Sequence, residues 1–255
     1  MPKEGRKSYK KSGFETKGGF TLESGTKGIL VTCHRGKEIA AQSEILKVFE
    51  EFSEQLEEFQ DFNQNHSKFS NIEDELENEL LMLKKRDKKL FSHIQTGIDC
   101  TVFIRVHPSL NPSDFIHKLL SQFFKLKVKK TRFCSRLIPL NNTCFATMRE
   151  IKLMAEILLK DYFESKSSIT YSVVPKIRNN SKIIRDELIT NIASLVPGHH
   201  VVNLSTPSVC IIVEILNNVC GISIVSDYQK LKRYNVEQLL ESEVKEKPES
   251  KLEKA

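Results

Sequence analysis

The spacing of apolar residues changes period several times along this chain, and each change marks an element. Gly28–Cys33 (Gly-Ile-Leu-Val-Thr-Cys) is the short, nearly continuous apolar run of a buried strand. From Lys37 the period turns helical, with Ile39, Leu46, Phe49, Phe52, Leu56 and Phe59 recurring to about Phe62. A polar break over 63–70 precedes a second helical pattern, Asn71–Lys85, with its acids in the first turns where the dipole favours them. Leu90–Gln95 and Cys100–Val106 alternate apolar and polar residues around Thr-Gly-Ile-Asp, a hairpin signal. Asn111-Pro112 then opens an amphipathic helix to Leu126, its stripe formed by Phe115, Ile116, Leu119, Leu120 and Phe123. Arg132–Leu140 reads as the next strand.

From Gly28 to Leu140 the order is strand, helix, strand, strand, helix, strand, the split βαβ or ferredoxin-like arrangement, interrupted by an acidic helical insertion near 63–85. A second unit follows Pro139. Met148, Ile151, Ala155, Leu158, Leu159 and Tyr162 mark a helix, Ser168–Val174 a strand, and a further helix starts near Ser181 and ends at Pro197-Gly198. Strands are expected at His200–Asn203, Val209–Leu216 and Gly221–Val225, the middle one apolar enough to be covered on both faces. The fold class is α+β. The expected domains are a disordered basic tail over 1–27, the ferredoxin-like domain over 28–118, an α/β domain over 119–226 whose first helix and strand complete the preceding unit, and a charged tail over 227–255.

Charge changes this picture more than composition does. The chain of 255 residues carries a net +6, but its charges are segregated. Between residues 99 and 234, 19 basic and 10 acidic side chains give +9, whereas 28–98 holds 9 and 14, giving −5. Positive charge concentrated on one folded half is the pattern of a nucleic-acid-binding domain, with a polybasic membrane-surface patch as the alternative. No apolar run approaches a membrane span and the N-terminus lacks a signal-peptide core. The expected location is intracellular: nucleus (including the nucleolus), cytoplasm or both, with Gly-Arg-Lys-Ser-Tyr-Lys-Lys a weak import signal.

Candidate catalytic chemistry does not assemble. There is no phosphate-loop motif, no Gly-x-Gly-x-x-Gly after a strand, no nucleophile elbow and no His-Glu-x-x-His helix. The six cysteines lack zinc spacing and sit mostly inside strand-like runs, as buried thiols do. His199-His200 has no third ligand nearby in sequence, so neither a metal nor a small-molecule cofactor is expected.

Two cationic clusters remain. Lys125, Lys127, Lys129, Lys130, Arg132 and Arg136 surround a helix-to-strand connection. Lys176, Arg178, Asn179, Asn180, Lys182 and Arg185 surround the expected start of a helix, where free N–H groups and the dipole suit a phosphate. If both clusters face one way they form a single groove, which would hold a folded RNA by its backbone and shape.

These residues carry a family resemblance. Lys-Lys-Thr-Arg-Phe-Cys-Ser-Arg-Leu-Ile-Pro-Leu (129–140), Val-Pro-Lys-Ile-Arg-Asn-Asn-Ser (174–181) with Arg185 and Glu187, and Val-Asn-Leu-Ser-Thr-Pro-Ser-Val-Cys-Ile-Ile-Val-Glu-Ile (202–215) resemble a THUMP domain. The segment before them resembles the ferredoxin-like domain that accompanies THUMP. Gly-Ile-Leu-Val-Thr-Cys and Lys-Arg-Tyr-Asn-Val (232–236) narrow the resemblance to stand-alone THUMP adaptors of tRNA N4-acetylcytidine formation. The resemblance implies a noncatalytic protein that binds tRNA and presents a D-arm cytidine to a separate RNA cytidine acetyltransferase. It carries over to Lys129, Lys130, Arg132, Arg136, Lys176, Arg178, Asn179 and Asn180. An enzyme with an unrecognised site and a protein-interaction scaffold are the alternatives.

Overall fold

The computed structural model describes residues 22–56, 89–127 and 130–241. The acidic insertion expected near 63–85, Lys129, and the import signal in the N-terminal tail lie outside them. Strands β1 (Gly28–Cys33), β2 (Phe91–Ile94), β3 (Thr101–Val106) and β4 (Cys134–Leu140) form a sheet ordered β2-β3-β1-β4, with every pairing antiparallel. Helix α1 (Glu38–Glu54) follows β1, and α2 (Pro112–Leu126) lies between β3 and β4. Both cover one face, where Phe49, Phe91 and Phe115 pack with ring centroids 5.2–5.4 Å apart. Asn111 caps α2 as its position before Pro112 requires: Oδ1 accepts from the Ser113 N–H at 2.9 Å.

Strands β5 (Asn142–Phe145), β6 (Thr170–Arg178), β7 (Val201–Val202), β8 (Val209–Leu216) and β9 (Val219–Ser226) form a second sheet ordered β5-β9-β8-β6-β7. Strand β6 runs parallel to β7 and β8; the remaining pairings are antiparallel. Ile211, Val213 and Ile215 of β8 share a core with α3 (Met148–Phe163) and α4 (Arg185–Ala193), while Cys210, Ile212 and Leu216 belong to a core shared with the first sheet. Alternate residues of one strand thus enter two cores, which is why β8 is apolar throughout.

The sheets approach closely at one point. A Cβ added to Gly221 on β9 would run into the side chain of Leu140 on β4, a fully buried residue with nowhere to retreat. Five of the six cysteines are buried, Cys100 is half-buried, and all carry free thiols.

Three expectations need correction. Strand β5 had no counterpart: Asn142 and Thr143 conceal a short edge strand that pairs with β9. The N-terminal tail does not extend to 27, because Leu22 is buried and the Gly25 N–H donates to the Thr143 carbonyl at 2.6 Å. Nor is 227 the start of a loose tail. Tyr228, Leu231, Tyr234, Val236 and Leu239 enter the first core, with Val236–Glu241 forming α5. Asn235 pairs with Arg136 of β4 in an isolated bridge. The apolar spacing of this segment outweighs the charges between.

Candidate nucleic-acid interface

Glu214 is the centre of the site, and it sits inside the run that looked purely apolar. Cross-strand register sets Lys176 of β6 directly opposite it, so both leave the same face, the one turned towards the first sheet. Arg178, two residues on, pairs its guanidinium with the Glu214 carboxylate, and both side chains are largely buried. Burial raises the Glu214 carboxyl above its ordinary value, opposed by Arg178, then by Lys176 and Arg136. Arg136 belongs to β4 of the first sheet, where it lies opposite Thr32. One buried carboxylate thus feels cations from both sheets.

Tyr228 reports the same convergence: burial raises its phenol, Arg136 and Arg233 pull it down, and Glu214 pushes it up. Arg233 was missed in the sequence. It is exposed on a left-handed turn, with φ of 51°, 55° and 57° at Lys232, Arg233 and Tyr234. Successive left-handed L-residues cost about 1–2 kcal/mol each. Tyr234 anchors the turn, 1% exposed and in edge contact with Tyr228 at 5.2 Å.

The remaining residues of the second cluster have divided roles. Lys176 and Lys182 are exposed. Asn179 takes a left-handed φ of 52°, which its short polar side chain tolerates. The Asn180 amide oxygen accepts from the Lys182 and Ile183 N–H groups at 2.9 and 3.0 Å, and its Nδ2 donates to the Asn217 carbonyl at 2.7 Å. The Arg185 guanidinium donates to the Pro175 carbonyl at 2.7 Å. Arg178, Asn180 and Arg185 therefore shape the loop. Helix α4 begins at Arg185, not near Ser181, because the Asn180 side chain, accepting from the Lys182 and Ile183 N–H groups, holds the residues before it in a local Asx-type turn. Its first turn contains Asp186 and Glu187. Those carboxylates complement the dipole at this end of the helix.

In the first cluster, Lys127 ends α2 at a φ of 54°. Lys130 Nζ stands 3.5 Å from a Glu51 oxygen, a solvent-accessible pair that contributes little to stability. Arg132 lies over the Phe133 ring at 5.4 Å, while the Glu44 carboxylate accepts from the Arg132 N–H at 2.7 Å and the Phe133 N–H at 3.1 Å. Among the described residues no group of three or more His, Cys, Asp or Glu is placed to hold a metal, and no helix is long and apolar enough to cross a membrane.

The family described as THUMP domain matches residues 145–225. Mus musculus THUMP domain-containing protein 1 is 31% identical over 247 residues, covering 91% of this chain and 69% of that protein. The Bos taurus and Homo sapiens proteins of the same name are covered over 65% and 66% of their length, so the chain spans about two thirds of these mammalian relatives. Saccharomyces cerevisiae tRNA acetyltransferase TAN1 is 28% identical, with 92% of this chain matching 91% of that protein. The solution structure of the THUMP domain of THUMP domain-containing protein 1 is 33% identical over 30% of this chain and 81% of its own, with a TM-score of 0.28. The chain belongs to the family of THUMP domain-containing protein 1.

Proposed function

We propose that this protein is a noncatalytic tRNA-binding adaptor that presents a D-arm cytidine to a separate RNA cytidine acetyltransferase for N4-acetylcytidine formation. The observation that carries the RNA-binding part is the convergence of Arg136 from one sheet with Lys176 and Arg178 from the other around Glu214. Cations on both sides of a junction would hold a phosphate backbone and register the shape of a folded RNA without reading its sequence. Arg136, Lys176, Lys182 and Arg233 are the proposed contacts on this face, extended by Lys127, Lys129, Lys130 and Arg132. Arg178 is proposed to position the others through Glu214.

The strand order β2-β3-β1-β4 supports reading the first sheet as the ferredoxin-like unit that accompanies THUMP. The name of the yeast relative, tRNA acetyltransferase TAN1, ties that protein to tRNA acetylation and supports the substrate assignment. The same name favours a second reading, in which this chain transfers the acetyl group itself.

Nucleoside analysis of tRNA from cells lacking the protein tests the assignment. Loss of N4-acetylcytidine is expected, and unchanged N4-acetylcytidine in every tRNA would overturn it. Incubating the purified chain with tRNA and acetyl-coenzyme A separates the two readings. An adaptor forms no product until the acetyltransferase is added; product from the chain alone establishes the enzyme.

A further inference from the structure

Two thiols meet across the edge of the second sheet, on the side turned away from Glu214. Cys144 of β5 lies directly opposite Cys220 of β9, and opposed residues of antiparallel strands leave the same face. Both belong to the core that includes Ile151 and Leu159 of α3. Antiparallel partners stand about 4.5–5.5 Å apart at Cα, within the roughly 4.4–6.8 Å that a disulfide spans. The two sulfurs are already hydrogen-bonded, with the Cys220 S–H donating to Cys144.

That bond makes the thiols unequal. It holds the Cys144 thiol below its ordinary value, against burial and the Glu150 carboxylate, and it raises Cys220, which burial raises further. Cys144 is also the more exposed of the two, at 8% against 0%. A sulfur that ionises readily, backed by one that keeps its proton, is the division between a nucleophilic and a resolving cysteine. Cys33 and Cys134 are opposed in the same way on β1 and β4. There burial pushes Cys33 up to about 11 and raises Cys134 as well, so neither readily supplies a thiolate. Cys210 meets the Ser172 hydroxyl at 3.3 Å in place of a second thiol.

Strand β5 has four residues and pairs on one side only, with β9. It also holds the segment before β1, because the Thr143 carbonyl accepts from the Gly25 N–H and the Thr143 hydroxyl from the Thr26 N–H at 2.8 Å. We infer that Cys144 and Cys220 form a redox-sensitive dithiol that hydrogen peroxide closes into a reversible disulfide, fastening β5 to β9. The Cys144 thiolate attacks one peroxide oxygen, the O–O bond breaks, and the leaving hydroxide takes up the proton that Cys144 released. The product is a sulfenic acid on Cys144. The Cys220 sulfur then attacks the Cys144 sulfur, the S–O bond breaks, and water leaves with the Cys220 proton. Two thiols lose two electrons in all, and one peroxide becomes two waters. Thiol exchange reopens the bond.

The native full-length chain is treated with hydrogen peroxide, its remaining thiols are alkylated, and disulfides are mapped by mass spectrometry. Hydrogen–deuterium exchange of β5 is followed on the same samples. A Cys144–Cys220 bond is expected, opened by dithiothreitol, with exchange at β5 slowed about tenfold or more while it is closed. Cys100→Ser removes the one cysteine that is not buried and should form the same bond. Cys220→Ser keeps a hydroxyl donor beside Cys144 and should stop the reaction at the sulfenic acid, which dimedone traps. No bond in the native chain, a bond only after denaturation, or a Cys33–Cys134 bond in its place overturns the inference. So does a Cys144–Cys220 bond that leaves exchange at β5 unchanged, or a folded Cys220→Ser variant with no dimedone adduct on Cys144.

Discussion

Arg178 and Lys176 stand two residues apart on one strand, and their replacement should have opposite signatures. Arg178→Ala leaves the buried Glu214 carboxylate without its ion-pair partner, a change that costs about 3–5 kcal/mol. Lys176→Ala removes an exposed cation and should alter stability by less than about 0.5 kcal/mol. Urea denaturation of both variants measures the contrast; equal, small losses would show that Arg178 is free of Glu214. The pH dependence follows from the same pair. Because the Glu214 carboxyl is raised in the folded state, the native protein holds that proton more tightly than the unfolded chain does. Its contribution to stability therefore falls as pH rises from the ordinary carboxylate value through the raised one. Glu214→Gln should remove that component from a stability–pH profile, and an unaltered profile would contradict the assignment. The cations of this site were legible in sequence, because basic residues cluster visibly. Their division was not: a lone glutamate in an apolar strand reads as noise until register sets Lys176 opposite it.

At the scale of elements, the close crossing of β4 and β9 depends on one missing side chain. Gly221→Ala forces a methyl group into Leu140 and should cost about 1–3 kcal/mol, read as a lowered denaturation midpoint. A native midpoint would mean that the sheets part there without penalty. The segment after β9 makes a second test. Ending the chain at residue 226 removes five apolar side chains from the first core and should abolish cooperative unfolding. Retention of a sharp native transition would return 227–241 to the status of a tail. Periodicity revealed the long helices and the central strands because burial imposes it strongly there. It missed β5, where Asn142 and Thr143 carry little apolar signal and an edge position asks for little. It misjudged 227–241 because isolated apolar residues among charges have no visible partner until the first sheet supplies one.

For the molecule as a whole, the two sheets matter chiefly because they bring distant parts of the chain to one face. Arg136 and Lys176 are separated by forty positions on different sheets, yet both act on Glu214. The turn carrying Arg233 reaches the same place from the C-terminal segment and is held in a costly left-handed conformation by buried Tyr234. Such strain persists where surrounding structure over-determines it, and here its effect is to fix the base of an exposed cation at the junction. If one RNA lies across this face, each cation that touches a phosphate releases a counterion on binding. The salt dependence of tRNA affinity, compared among the native chain, Arg136→Ala, Lys176→Ala and the double variant, reads that directly. Each single change should flatten the slope of log K against log salt by about one unit, and the double change by about two. A slope that neither substitution alters would show that the RNA does not cross the junction between the sheets.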